Sequence, residues 1–177
     1  MSISMNAIAI ETFVPMLQSL SQILDKGAQL ARAKNLDDST LPNSRLAPDM
    51  YPLIKQVQLA CDHARDATAR LTELTGPTFD DSEQTIDQLK ARIAKTVQFL
   101  QSAPPAAFQG TEDRAIKIPI PDNMAIEMTG LEFLRDWSMP HFYFHVVTAY
   151  DILRHHGVDI GKRDYLSYVG KYIRPLA

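Results

Sequence analysis

Apolar side chains recur at intervals of three and four residues in several long stretches of the chain. That spacing places them on one side of an α-helix, so each stretch predicts an amphipathic helix. The first helix runs from about Glu11 to Lys34, with Pro15 near its start, where proline is best tolerated. The second begins near Asp49, which suits a helix N-cap, and continues to about Glu73.

The second half of the chain predicts two further helices with a short β-hairpin between them. The third helix follows the polar segment T-F-D-D-S-E and ends at Pro104-Pro105. The segments R-A-I-K-I-P-I and N-M-A-I-E-M-T alternate around P-D-N, which predicts a hairpin between Arg114 and Thr129. The last helix extends from about Leu131 to His155, with Gly157 at its C-terminal end.

Four long helices and one β excursion describe an all-α fold, a four-helix bundle with a short β-hairpin insertion before the last long helix. A length of 177 residues suits a single domain, residues 1–177. Pro140 lies inside the last helix and removes one of its hydrogen bonds. We therefore expect the helix to kink or restart near Ser138.

Composition narrows the class of protein. Apolar residues make up 45% and charged residues 22%, and the net charge is −3 without a basic cluster, so no nucleic-acid partner is expected. No apolar run approaches the ~20 residues of a membrane span, and the N-terminus lacks a signal-peptide pattern. With a single cysteine, Cys61, these features predict a cytoplasmic protein that does not enter a membrane.

Two histidines of the last helix are the strongest candidates for chemistry. His141 and His145 are four residues apart, so they lie about 40° apart on one helical face. The same face carries Leu134 and Ala149, which predicts that it is buried, and a buried imidazole needs a partner. This spacing is that of helical metal ligands, and zinc, nickel or ferrous iron would accept imidazole.

A metal site needs a third protein ligand, and the sequence leaves that ligand open. His63 on the second helix is the obvious candidate, but it points about 120° away from the apolar stripe around Val57. Unless that helix is rotated in the bundle, His63 faces solvent or a partner subunit. Gln58 lies closer to the core but is an uncommon metal ligand. The alternative hypothesis makes His141 and His145 neutral, hydrogen-bonded core residues with no metal.

The other candidates have ordinary structural explanations. Cys61 lies on an apolar stripe, where burial raises a thiol pKa and makes the sulfur inert. His155 and His156 suit the C-terminal end of a helix dipole. The last helix also carries apolar or aromatic residues on nearly every side, with Phe133, Trp137 and Phe144 on a flank away from His145. An apolar flank of this kind is usually covered by another subunit, so we expect a twofold homodimer.

Two segments carry a family resemblance. The first is L-A-P-D-M-Y-P-L at residues 46–53 with Q-V-Q at 56–58, similar to the pattern L-A-x-D-M-x-P-L-x-x-Q-V-Q. The second, residues 142–166, is similar to F-x-F-H-V-x-T-A-Y-x-I-L-R-H-x-G-V-x-x-G-K-x-D-(F/Y)-L. Both resemble the DUF1993 family, within the DinB/YfiT-like superfamily of four-helix bundles, and the resemblance spans nearly the whole chain.

The resemblance implies a metal site and a class of reaction. In the superfamily, metal-binding histidines come from the second helix and from an H-x-x-x-H pair on a later one, which correspond to His63, His141 and His145. Many DUF1993 members have asparagine in place of His141 and no histidine at position 63, so only His145 carries over residue by residue. Superfamily members include thiol-dependent transferases and isomerases. The alternative is a non-catalytic dimeric bundle that binds a small molecule or a protein partner; the resemblance assigns no catalytic residue.

Overall fold

A computed structural model describes residues 4–175, and four long helices form the body of this part of the chain. They are α1 (Met5–Ala33), α2 (Leu53–Thr72), α3 (Ile86–Ser102) and α5 (Met139–His155). The short helix α4 (Gly130–Glu132) and a π-helical segment (Phe133–Ser138) lead directly into α5. The helix α6 (Lys162–Tyr165) and a 3₁₀ turn (Ser167–Tyr172) follow. α2 packs between α3 and α5, and α1 packs chiefly against α3. The predicted helical bundle is confirmed.

The predicted hairpin lies between α3 and the last helical segment. Its strands are β1 (Ala115–Ile120) and β2 (Met124–Thr129), paired antiparallel. The turn contains Asp122 and Asn123 with φ of +62° and +56°, a left-handed conformation that short polar side chains tolerate. Ile116 is buried and joins the hairpin to the helical core.

α1 begins earlier than the sequence analysis predicts. The Ser4 side chain accepts a hydrogen bond from the Ala7 amide (3.1 Å), so Ser4 caps a helix that starts at Met5. Pro15 therefore lies inside the helix rather than near its start. The carbonyl that loses its usual donor belongs to Glu11, an exposed residue, so water can replace the missing N–H.

α2 begins later than predicted, at Leu53, and Asp49 is not its N-cap. Pro52 precedes the helix, and a proline disfavours the helical conformation in the residue before it. The first amides of α2 are satisfied by the preceding loop rather than by a side chain. The Leu53 amide donates to the Ser44 carbonyl (2.8 Å), and the Ile54 amide donates to the Pro42 carbonyl (2.9 Å).

The last helical segment changes its winding where the sequence analysis expects a restart. The π-helical turn ends at Ser138, and the Met139 amide donates to the Leu134 carbonyl five residues earlier. Pro140 then occupies the first turn of α5, where no amide hydrogen is needed. At the other end, Gly157 has a φ of +87° and closes the helix as predicted.

The core lies where α1 and α5 meet the other helices. The rings of Phe13 and Phe142 contact edge to face with centroids 4.8 Å apart and join these two helices. α1 is long and apolar enough to span a membrane by length and composition, and half of its most apolar window is buried within the protein. A core helix of a globular bundle meets the same criteria.

Gly130 provides a test of the packing at the start of the last helical segment. A Cβ at this position would lie 1.9 Å from the Thr111 carbonyl oxygen, so backbone would have to move. We expect Gly130→Ala to lower the free energy of unfolding by about 2 kcal/mol or more, measured by urea denaturation. Gly161→Ala is the control, because nothing lies within 4 Å of a Cβ there. Equal stability of the two variants would contradict this packing.

Candidate functional site

The three histidines singled out in the sequence lie together where α2 meets α5. His141 and His145 occupy the first turns of α5, and His63 lies on α2. The ring centroids of His63 and His141 are 4.7 Å apart, with planes inclined by 23°. Those of His63 and His145 are 5.6 Å apart, with planes inclined by 11°. These three side chains are called the histidine cluster below.

The expectation that His63 faces away from the core is wrong. α2 is buried on two sides, because it packs against both α3 and α5. Gln56 and Ala60 lie on a buried side that is distinct from the stripe through Val57. His63 follows Gln56 by seven residues, about two helical turns, so it shares that second side and meets α5.

His141 and His145 are each oriented by a hydrogen bond at Nδ1. His145, which is 7% exposed, has its Nδ1 2.8 Å from Oε1 of Gln56 on α2. His141 has its Nδ1 2.7 Å from the backbone oxygen of Trp137. The structure gives neither Nε2 atom a hydrogen-bond partner among residues 4–175. Nε2 is therefore the nitrogen that each ring can offer to a ligand.

The π-helical segment contributes directly to the cluster. Trp137 lies in this segment, and its ring centroid is 4.5 Å from that of His141. Its backbone oxygen also holds His141 Nδ1. The wider turn just before Pro140 thus places one residue that contacts His141 through both ring and backbone. Such turns are frequent at functional sites.

Burial keeps two of the three imidazoles neutral near pH 7. Burial, together with repulsion from His141 and His145, lowers the pKa of His63 to about 4, although Asp66 acts in the opposite direction. Burial and the nearby His141 lower the pKa of His145 to about 4 as well. A neutral imidazole retains the lone pair that metal coordination requires.

The cluster fits a metal ion in its donors and spacing but not in its present ring orientation. Three imidazoles bound to one tetrahedral zinc have centroids roughly 5 Å apart, close to the observed 4.7 and 5.6 Å. Among residues 4–175, no group of three or more His, Cys, Asp or Glu side chains is arranged as it stands to hold a metal. The nearly parallel rings would have to tilt for their nitrogens to converge.

The remaining sequence candidates lie outside the cluster. Burial raises the pKa of the Cys61 thiol to about 12, which agrees with an inert packing role. Gln58 donates to the Glu83 carboxylate (2.9 Å) rather than to a histidine. Gln56 is the glutamine at the site, and sequence reasoning missed it. Its spacing of seven residues from His63 was the available signal.

A second polar cluster, unforeseen from the sequence, surrounds Arg92 on α3. This side chain is buried, and its guanidinium donates to Asp62 (2.8 Å), Asp81 (2.8 Å) and Glu83 (3.0 Å). It also lies 4.2 Å from the centroid of the Phe79 ring. Asp62 belongs to α2, while the other partners belong to the segment between α2 and α3. Arg92 thus ties that segment to both helices.

Two of the carboxylates around Arg92, those of Asp81 and Glu83, have a pKa below the usual range. Burial alone would raise the pKa of Glu83, but hydrogen bonds from Gln58 and Arg92 outweigh it and hold that pKa below its usual range. The hydrogen bond from Lys55 is the largest cause that lowers the pKa of Asp81. The cluster therefore provides anchoring rather than a proton donor.

Because His63 and His145 are neutral in the folded protein, we expect acidification to destabilise it already at a pH higher than that at which carboxylates titrate. The folded-state pKa of His63 and His145 is about 4, below the ordinary value of 6.5. Between those values the unfolded chain binds protons that the folded protein excludes, so stability is present above pH 6.5 and is lost toward pH 4. From pH 7 to 5 we expect a loss of roughly 1 kcal/mol per histidine, after allowance for solvent access, by urea denaturation.

Substitution identifies the residue responsible for this dependence. His63→Asn should reduce the pH dependence of the free energy of unfolding, because it removes one of the two buried neutral rings. A free energy of unfolding that does not change between pH 7 and 5 would contradict two neutral buried rings.

Comparison with known proteins identifies the family of this chain. Residues 5–166 match the model of a domain of unknown function, DUF1993. The chain is also similar to the crystal structure of a DinB family member protein from Shewanella denitrificans, with 42% identity and a TM-score of 0.83 over 91% of this chain and 90% of that one. No protein with a curated description matches the chain. The chain belongs to the DUF1993 family, and its fold agrees with a DinB-like helical bundle with a hairpin.

Proposed function

We propose that His63, His141 and His145 bind a divalent metal ion. The observation that carries this proposal is the meeting of three imidazoles, one from α2 and two from α5, with centroid separations of 4.7 and 5.6 Å from His63. Two of these rings are neutral near pH 7, and two have Nδ1 engaged so that Nε2 is available. Zinc, nickel and ferrous iron are the metals that such donors suit.

The proposal extends to a metal-dependent reaction of a thiol or of water. A divalent metal, when bound, lowers the pKa of a coordinated thiol or water and so supplies a nucleophile at neutral pH. The contribution of this chain is to hold the ligands. Gln56 and the Trp137 carbonyl orient two rings, and the α2–α5 contact keeps His145 away from bulk water. The DinB-like resemblance supports a thiol-dependent transferase or a relative that has lost that activity.

Metal titration tests the proposal directly. The protein, prepared without a histidine tag and freed of metal, should bind about one equivalent of Zn²⁺ or Ni²⁺ in a calorimetric titration. His145→Ala and His63→Ala should each weaken binding by more than the roughly 10–100-fold that loss of an outer hydrogen-bond partner costs. The reason is that each removes a ligand rather than its support.

His155→Ala is the matched control for this titration. His155 is exposed at the end of α5 and contacts His156 edge to face rather than the histidine cluster, so its loss should leave affinity unchanged. If zinc, nickel and ferrous iron all fail to bind the wild-type protein stoichiometrically, the metal site is refuted. The histidines would then be structural, as the alternative hypothesis holds.

The second candidate function is a non-catalytic homodimeric bundle that binds a small molecule or protein partner. The observation that favours it is an exposed apolar flank on α5, where Phe144 is 59% and Val147 is 41% exposed. Phe133, which the sequence places on this flank, is buried within the protein instead. Phe144 and Val147 are three apart and so lie on the same side of the helix. Large exposed apolar side chains grouped in this way are typical of a subunit interface.

Light scattering tests the dimer at micromolar concentration. A twofold homodimer should give a mass about twice the 19.9 kDa of one chain. Phe144→Ser should shift the protein toward the monomer because it removes the largest apolar group of the flank. Met124→Ser, at an equally exposed position in the hairpin (57% exposed), should not. A wild-type mass of a single chain would refute the dimer.

A further inference from the structure

The side chain of Gln56 connects two polar groups that lie on different parts of the chain. Its Nε2 is 3.0 Å from the backbone oxygen of Tyr51, just before α2. Its Oε1 is 2.8 Å from Nδ1 of His145 on α5. The side chain is buried, so water does not compete for either end. Two consecutive hydrogen bonds therefore link Tyr51, Gln56 and His145 across the α2–α5 contact.

The donor and the acceptor of both hydrogen bonds follow from the chemistry of the Tyr51 carbonyl. The Tyr51 carbonyl has no hydrogen and can only accept, so the amide nitrogen of Gln56 must be the atom that faces it. The amide oxygen then faces His145, and an amide oxygen can also only accept. His145 must therefore donate from Nδ1. A neutral imidazole has one N–H, so its Nε2 carries the lone pair.

We infer that Gln56 is a positioning residue that holds His145 in the tautomer with hydrogen on Nδ1 and a free lone pair on Nε2. The idea that Nε2 binds a metal rests on the function proposed above, whereas the inference about the tautomer does not. Metal-ligating histidines are usually held in this way, by an acceptor at the second ring nitrogen. In this protein the acceptor is an amide on a neighbouring helix.

Packing alone does not account for an amide at position 56. An apolar side chain of similar length would fill the same buried space and would leave no polar atoms of its own to satisfy. The amide is bonded at both ends, so it cannot rotate without losing the bond to Tyr51 or the bond to His145. Its rigidity fixes which nitrogen of His145 bears the hydrogen.

His141 reaches the same tautomer by a local route. The backbone oxygen of Trp137, four residues earlier in the same helical segment, lies 2.7 Å from His141 Nδ1. A backbone carbonyl can only accept, so His141 also donates from Nδ1 when neutral. His141 and His145 thus present the same kind of atom, Nε2, although only His145 depends on a side chain that can be substituted.

Nitrogen-15 NMR reports the tautomer without any metal. In uniformly labelled, metal-free wild-type protein at pH 7.5, long-range ¹H–¹⁵N correlations should give His145 a protonated Nδ1 and an unprotonated Nε2. Gln56→Met removes the acceptor and should move the hydrogen of His145 to Nε2 or give a mixture. Gln56→Glu loses the donor to Tyr51 but keeps an acceptor for His145, and should keep the hydrogen on Nδ1.

Gln58→Met is the matched control. Gln58 is a second buried glutamine of α2, but it bonds to Glu83 rather than to a histidine. Its loss should leave the His145 spectrum unchanged. The same variants can be titrated with Zn²⁺ against a chromophoric chelator. Gln56→Met should weaken affinity about 10–100-fold, and Gln58→Met and Gln56→Glu should remain within a few-fold of the wild type.

The two arms of the experiment separate this inference from the proposed metal site. If the wild-type spectrum shows the hydrogen on Nε2, or if Gln56→Met leaves the tautomer unchanged, the positioning role is overturned whatever the metal data show. If the tautomer behaves as expected but no zinc binds, the positioning role stands and the metal site fails. If Gln56→Met does not fold, the wild-type spectrum and Gln56→Glu still decide the tautomer.

Discussion

The contact between α2 and α5 is the constraint on which both the core and the histidine cluster depend. Most buried positions on this part of α2 are small or apolar, yet the contact includes one side-chain hydrogen bond, from His145 to Gln56. If either helix slid or rotated by one residue, two buried polar groups would lose their partners, at about 1–3 kcal/mol for each unsatisfied group. Apolar packing tolerates small shifts more easily than this. The hydrogen bond therefore selects one register, and that register also stacks His63 on His141 and His145.

A second side of α2 is fixed by charge. Asp62 receives the Arg92 guanidinium of α3, and the adjacent residue on α2 is His63, about 100° further around the helix. Neighbouring residues of one helix are thus held by different partners, one ionic and one aromatic. A buried arginine is costly unless its charge is paired. The two terminal nitrogens of Arg92 have carboxylate partners on α2 and in the segment that precedes α3, while its Nε has no hydrogen-bond partner among residues 4–175. The rotation of α2 is consequently set from both sides, and the position of His63 is a result of that rotation.

The sequence predicted the order and type of the long elements because their apolar periods are long and are punctuated by proline and glycine. It failed where the deciding interaction is tertiary. Asp49 looked like the start of α2, but loop carbonyls cap that helix at Leu53. His63 was judged against one apolar stripe, and α2 has two buried sides. Arg92 interrupts the stripe of α3, and a charged residue there suggests a solvent-exposed position until its carboxylate partners are known. No local pattern identifies those partners, because they lie 9, 11 and 30 residues away in the chain.

His141 and His145 of α5 differ in how much of the fold their orientation requires. His141 finds its acceptor four residues earlier, at a carbonyl of the π-helical turn, so its orientation is complete once that segment is helical. His145 finds its acceptor 89 residues earlier, on another helix, so its orientation exists only in the assembled bundle. The i, i+4 spacing seen in the sequence is therefore not sufficient to arrange these histidines for binding a ligand. It places two rings on one face, and the tertiary contact with α2 adds both the third ring and the group that orients the second. A loss of α2–α5 packing would disperse the cluster even if α5 remained helical.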